Sequence, residues 1–306
     1  MIDERDHIGI DLRALRALVA IADGGSFRAA ASRLGYSQSA ISHRIAALER
    51  GLGTSLFARP GGRGAISLTT AGQAAYAHAR RVIAAVEALE ADVGARGADG
   101  RATLRVGVFQ TAAAELLPPA LRAFRQDWPR VEVILSENDK PERLSEQLAR
   151  GTLDLAFARD VTSDDRVEAI PLMDDPLVIL TRHDSPLVTL RQPTFDVLDG
   201  ADVVAWTRRW PMQLELEAAW RRRGISPRVV FRTEDNLALQ RLVAAGLGDA
   251  CVGRVAAQHA IDPSLTWIAP AESLIDRRIV LLSPRRREPT AAALTLIDTI
   301  KSHLGA

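Results

Sequence analysis

The stretch from Ser26 to Leu48, SFRAAASRLGYSQSAISHRIAAL, constrains the fold more than any other part of the chain. It holds two short helical patterns with almost no turn between them. Ser26 is placed to cap the first helix, and Phe27, Ala30, Ala31 and Leu34 share one of its faces. Gly35 stands where a helix needs a left-handed residue to stop. Ser37 can cap the second helix, whose apolar stripe is Ile41, Ile45 and Leu48 at spacing i, i+4, i+7. Small alanines let the two helices cross closely. This is the pattern of a helix-turn-helix, whose second helix enters the major groove of DNA.

The other side of that second helix carries Ser39, Ser42, His43 and Ala46, with Gln38 at its open end. Such side chains suit base reading: glutamine pairs bidentately with adenine, and serine bonds to several bases. Ser37, Gln38, Ser39, Ser42 and His43 are therefore the candidate DNA contacts. A merely solvated polar face would look similar, and the local charge separates the two readings. From Ser26 to Arg81 there are eight arginines and one acidic residue, Glu49. The stretch carries +7 against +1 for the whole chain, so the rest carries −6. Basic charge gathered at one end is the footprint of a polyanion such as double-stranded DNA. An anionic membrane would attract the same charge but has no use for a groove-reading helix.

At 306 residues the chain exceeds what one compact core holds, so two or three domains are expected. The single cysteine, Cys251, rules out an intramolecular disulfide and fits a cytoplasmic setting. The charged start, Met1 to Asp11, lacks the apolar core of a signal peptide, and no apolar stretch approaches the roughly 20 residues of a membrane span.

Asp11 can cap a first helix with Leu12, Leu15, Leu18, Val19 and Ala22 facing inward. After the helix pair, Leu56 to Arg59 and Ala65 to Leu68 flank a glycine-rich tip and read as a hairpin wing. Arg59 and Arg63 on that wing can reach a phosphate or the minor groove. Thr69 or Thr70 then caps a long helix to about Val93. Ala75, Ala79, Val82, Val86, Leu89 and Val93 alternate steps of four and three, a heptad seam. Packing on its own domain is the rival reading, but a seam so narrow on a helix so long suits a second copy, with Val82, Val86, Leu89 and Val93 as the dimer contacts. Gly94 to Gly100 reads as a hinge.

From Thr103 strands alternate with helices, as in an α/β fold with parallel strands. The texture then recurs: Pro129 to Val133 resembles Pro227 to Phe231, and Leu148 to Asp154 resembles Val243 to Asp249. Two similar lobes imply a cleft between them that takes a small ligand. Asp174-Asp175 before Pro176 reads as a turn.

With these residues in view, the chain resembles the LysR-type transcriptional regulators over residues 10 to 306. The specific matches are Gly25-Ser26-Phe27, Ala29-Ala30, Ser37-Gln38-Ser39-Ala40-Ile41-Ser42, Leu48-Glu49, Leu52-Gly53, Leu56-Phe57-x-Arg59 and Leu68-Thr69-x-Ala71-Gly72. Beyond them Leu104-Arg105-Val106-Gly107, Leu116-Leu117-Pro118, Gly151-x-Leu153-Asp154 and Gly246-Leu247-Gly248 match by pattern. The resemblance implies an α+β protein: an N-terminal winged helix-turn-helix (10–69), a linker and dimerisation helix with hinge (70–98), and a two-lobed α/β effector domain of periplasmic-binding-protein type (99–306). Its first lobe would take about 103–160 plus 270–306 and its second about 161–269. The resemblance further implies self-association as a dimer or tetramer, a small-molecule effector and RNA polymerase as a partner. By position, Gln110 and Thr111 match residues that hold effector carboxylates in this family. Trp206 and Thr207 end the equivalent strand of the second lobe, and Arg159 is expected at the crossover between lobes. The wing is about two residues longer than the family pattern. Asp249 and Gly253 stand where an apolar residue and a proline are expected.

An enzyme is not expected. Cys251 lies in a buried-strand pattern with no histidine nearby. Gly246-x-Gly248 follows a helix rather than opening one, so it is no dinucleotide fingerprint, and no residues have metal-ligand spacing. No cofactor is expected. A ligand-controlled, sequence-specific DNA-binding regulator with an anionic effector is the reading that uses every feature. The alternatives are a solute-binding protein, disfavoured by the basic N-terminal domain, and a DNA-binding domain fused to an enzyme, disfavoured by the missing catalytic residues.

Overall fold

The structure, a computed structural model, describes residues 10–58, 66–94, 103–138, 140–159, 164–260 and 262–305. These fall into two compact units, one of the described residues up to Gly94 and one of nearly all those from Thr103 onward. Among the described residues no helix is long and apolar enough to cross a membrane.

The first unit opens with helices α1 (Leu12–Gly24), α2 (Phe27–Leu34) and α3 (Gln38–Leu52). Each starts at a side-chain cap, Asp11, Ser26 and Ser37, and each ends at a glycine in the left-handed region. Ile41, Ile45 and Leu48 of α3 are buried against Ala30 and Ala31 of α2, where the small side chains permit the close crossing. The inward face of α1 is centred on Ala14, Ala17, Leu18 and Ile21, whereas Leu12, Leu15, Val19 and Ala22 are only partly covered. The largest apolar residues had suggested a stripe that is rotated from the true one. Alanines occupy the tightest contact because two helices and α4 converge there.

Strands β1 (Phe57–Ala58) and β2 (Ser67–Leu68) pair antiparallel as a wing, Phe57 opposite Leu68. Its tip, with Arg59 and Arg63, lies outside the described residues. Glu49, the acidic exception in the basic region, accepts the backbone N–H of Leu56 at 2.7 Å and ties the wing to the end of α3. Helix α4 (Thr70–Gly94) follows, with Thr69 Oγ1 accepting the N–H of Gly72 at 2.9 Å. Gly72 is needed for room: a Cβ there would stand 1.9 Å from the carbonyl oxygen of Leu56. Tyr76 and Arg80 of α4 reach back to Asp23 at 2.6 and 3.1 Å, pinning α4 to the end of α1.

The second unit runs β3 (Thr103–Val108), a π-helical turn (Ala112–Leu116), α5 (Leu117–Asp127), β4 (Glu132–Glu137), α6 (Pro141–Ala149), β5 (Leu155–Arg159), β6 (Val167–Asp174) and β7 (Leu177–Arg182). After two short 3-10 turns come β8 (Asp202–Trp206), α7 (Pro211–Arg223), β9 (Arg228–Thr233), α8 (Asn236–Ala244), β10 (Ala250–Gly253), α9 (Arg254–Gln258), β11 (Leu265–Ile268), β12 (Arg278–Pro284) and α10 (Ala291–Leu304). The π turn has a local cause. Pro118 and Pro119 carry no N–H for the ordinary helical ladder, and the N–H of Leu117 bonds back to Ala112 instead.

One lobe is built on a five-stranded sheet, order β4-β3-β5-β12-β6, with β3, β4 and β5 mutually parallel and β12 antiparallel to both β5 and β6. The other holds the parallel pair β8-β9 and the antiparallel sheet β10-β7-β11. The repeat anticipated from sequence is a strand-helix-strand unit, β3-α5-β4 in one lobe and β8-α7-β9 in the other. The expected lobe boundary near residue 161 needs correcting. Strand β6 belongs to the first lobe's sheet, so the chain crosses at Asp175-Pro176. Pro171 obscured this strand in the sequence; the fold tolerates it because β6 is an edge strand. Strand β7, buried along almost its whole length, has no alternation to betray it.

Candidate DNA-reading face and inter-lobe cleft

On α3 the buried stripe leaves Gln38, Ser39, Ser42 and His43 exposed in a row along the first turns. Ser37 is also exposed, but its hydroxyl already accepts the N–H of Ala40 at 3.2 Å and lies 3.0 Å from Ser39 Oγ. It therefore orients the start of the helix. Arg44 is held by Asp11 at 3.6 Å and lies over the Tyr36 ring at 5.0 Å, which fixes it as a brace between α1 and α3. Arg28 and Arg50 are exposed at the starts and ends of their helices.

The heptad seam of α4 divides in two. Ala75 and Ala79 pack into the core of their own unit. Val82 and Leu89 remain 46% and 61% exposed, and Val86 is partly covered. The side chain of Val93 lies outside what the structure describes. The rival packing thus accounts for Ala75 and Ala79.

The second unit contains a cleft of about 370 Å³ counting its open mouth, lined in part by Gln110, Thr111, Arg159, Trp206, Asn236 and Arg277. Gln110 and Thr111 occupy the first turn of the helix after β3, where the N–H of Ala113 bonds to the carbonyl of Phe109 at 3.0 Å. N–H groups at such a start favour an anion. Both residues also reach the opposite lobe. Gln110 Oε1 accepts the N–H of Asn236 at 3.0 Å, and Thr111 Oγ1 accepts from Asn236 Nδ2 at 3.3 Å. Two helix starts, that of α8 and that after β3, therefore meet across the cleft. A hydroxyl that accepts one bond keeps its own proton to donate.

Arg159, at the end of β5, lies over the Phe109 ring at 4.8 Å and the Trp210 ring at 5.8 Å. Trp206 is almost fully buried and stacks on Trp210 with centroids 5.4 Å apart. Thr207 is turned away: it is not among the cleft-lining residues, and its hydroxyl donates to Glu234 at 3.2 Å. Sequence reasoning had grouped it with Trp206 at the end of the second lobe's equivalent strand, but successive residues leaving a strand point to opposite sides.

Sequence reasoning missed Asn236, Asp175 and Arg277. Asp175 is not a surface turn residue. Its carboxylate is buried, 3.1 Å from Arg277 Nη2, and accepts the N–H of Val255 at 2.9 Å. The signal was present in the acidic pair before Pro176, but its partner lies about a hundred residues on in sequence, beyond any local pattern.

Two family models match the chain. One, described as a bacterial regulatory helix-turn-helix protein of the lysR family, covers residues 12–73, and the other, the LysR substrate binding domain, covers residues 97–305. Among curated proteins the chain is 25% identical over 291 residues to the HTH-type transcriptional regulator YfeR of Shigella flexneri, covering 95% of this chain and 93% of that one. It is 37% identical over 198 residues to the SDS degradation transcriptional activation protein of a Pseudomonas strain, covering 64% of this chain and 63% of that one. Among solved structures it is similar to full-length OxyR C199D from Pseudomonas aeruginosa, with TM-score 0.72, 22% identity and 96% of each chain covered. Full-length CbnR, solved in complex with its target DNA, aligns with TM-score 0.62 and 24% identity over 96% of this chain and 99% of that one.

Proposed function

The chain belongs to the LysR family of transcriptional regulators, and on that premise we propose that α3 reads operator DNA while a small anion in the inter-lobe cleft sets the activity. Gln38 leads the base contacts, followed by Ser39, Ser42 and His43, and Ser37 holds the helix start in place. Arg59 and Arg63 of the wing grip the phosphate backbone. Val82, Val86, Leu89 and Val93 join two copies, so that paired α3 helices meet the half-sites of an interrupted palindrome. Dimers pair further into a tetramer, and the DNA-bound assembly works with RNA polymerase in the cytoplasm. No catalytic role is assigned.

The observation that carries this reading is the exposed row from Gln38 to His43, on a helix whose other side is buried and whose surroundings are basic. The test is a gel-shift assay on the DNA flanking the protein's own gene. Gln38→Ala is expected to weaken that complex by about 1–3 kcal/mol and to leave random DNA nearly unaffected. Equal losses on both would show that Gln38 does not read bases.

For the cleft, Gln110 and Thr111 supply the anion-binding helix start, Trp206 an apolar wall and Arg159 a stacked cation. A peroxide-sensing role is disfavoured. Cys251 is buried, burial with Asp249 nearby pushes its thiol far above the ordinary range, and a thiolate is what reacts.

A further inference from the structure

The cleft contains a buried ion pair. Asp175 and Arg277 have side chains only 3% and 5% exposed, yet both line the cleft. Replacing such a pair by well-packed apolar residues is often neutral for stability, so a pair retained on the lining of a cleft invites a role beyond packing.

Gly253 supplies the second observation. Its backbone, φ −65° and ψ 147°, is one any residue adopts. A Cβ there would nonetheless stand 2.4 Å from Asp175 Oδ2 and 2.5 Å from Arg277 Nη1. The glycine is therefore required for room, and the space it leaves is filled by the guanidinium. Asp175 is fixed from three sides: its N–H donates to the Arg277 carbonyl at 3.0 Å, one oxygen accepts from Val255, and the other faces Arg277. Such a carboxylate holds the guanidinium in one orientation.

The third observation is Trp206. It also lines the cleft and is 4% exposed, and among the described residues its indole Nε1–H has no hydrogen-bond partner. A buried donor without an acceptor is costly, and an acceptor brought by a ligand removes that cost.

We infer that Arg277, seated by Asp175 in the space left by Gly253, is the residue that selects an anionic effector, with the Trp206 indole N–H as a second donor. The lining side chains include two arginines against one aspartate, which favours an anion over a cation. A guanidinium matches a carboxylate through two parallel bonds, so the ligand class is a small carboxylic acid. This rests on reading the cleft as the effector site.

The test uses the full-length protein and matched probes: small carboxylates from acetate to benzoate, their primary amides, and the corresponding amines. Binding is read by thermal shift and calorimetry, alongside gel-shift of the protein's own upstream DNA. Carboxylates are expected to stabilise the wild type, with at least tenfold weaker binding in Gly253→Ala and in Arg277→Gln, and DNA binding without ligand retained. Arg277→Lys keeps a charge for Asp175 should the glutamine variant fail to fold, and it too is expected to lose about tenfold for want of the fork. Undiminished carboxylate binding in Gly253→Ala and Arg277→Lys would overturn the inference, as would a preference for amides or amines, which would still leave the cleft as an effector site. If no probe of any class affects melting or DNA binding, the sensor reading fails together with it.

Discussion

Leu89 offers a quantitative test of how two copies join. It is 61% exposed on the outer part of α4, in register with Val82 and Val86. Leu89→Ala removes the branch beyond Cβ, worth about 0.8 kcal/mol per buried methylene. Scaled by the 61% still open to be covered, each copy stands to lose about 1.5 kcal/mol. In a symmetric seam the residue occurs twice, so the dimer weakens by about 3 kcal/mol, or about a hundredfold in Kd. Leu89→Asp places an unpaired charge in the same seam, costs several kcal/mol more and should leave only the monomer at micromolar concentration. Sedimentation velocity across a concentration series measures both. Arg81→Ala, exposed on the same helix but off the stripe, serves as the control and should stay within about twofold of wild type. A Leu89→Ala dimer as tight as wild type would refute the seam.

Glu49→Ala should destabilise the first unit by about 1–3 kcal/mol, because the N–H of the fully buried Leu56 is left without its acceptor; chemical denaturation reads this, and an unchanged midpoint would contradict it. Thr111→Val retains shape but loses the hydroxyl, and should cost about 1–3 kcal/mol of effector affinity by calorimetry while DNA binding without effector stays the same. Glu217 concerns acid stability. Burial raises its carboxyl pKa, but hydrogen bonds from Gln213, Arg232 and Arg208 outweigh this and hold it below its ordinary 4.5. A lowered folded value means the stabilisation is complete above the ordinary value and disappears as pH falls through the folded one. Glu217→Gln should therefore flatten the melting temperature between about pH 5 and pH 3; a slope equal to wild type would remove Glu217 from that network's role.

The first unit was legible because its determinants are local. Ser26, Gly35 and Ser37 are helix punctuation that acts within a turn of the residues it controls, and Ile41, Ile45 and Leu48 declare a buried face by spacing alone. The same holds for α4 and for the repeated strand-helix-strand units. Each of these needs only its sequence neighbours to be recognised.

Other features depend on partners distant in the chain. The inward face of α1 turned on which side chains fit where three helices converge, and bulk mattered less than smallness. Strand β6 could keep Pro171 only because the sheet places it at an edge. Thr207 left the cleft because strand geometry alternates its side chains. Asp175 became a buried anion because β12 begins beside it and delivers Arg277, and Gly253 acquired its purpose only once that pair occupied its missing Cβ. A proline departure at position 253 is visible in the sequence, but the charge that fills the space comes from Arg277, just before β12. Periodicity reports the neighbours that a residue meets within one helix or strand. Tertiary packing alone decides which charge is buried against which, and in this chain those long-range pairs shape the cleft.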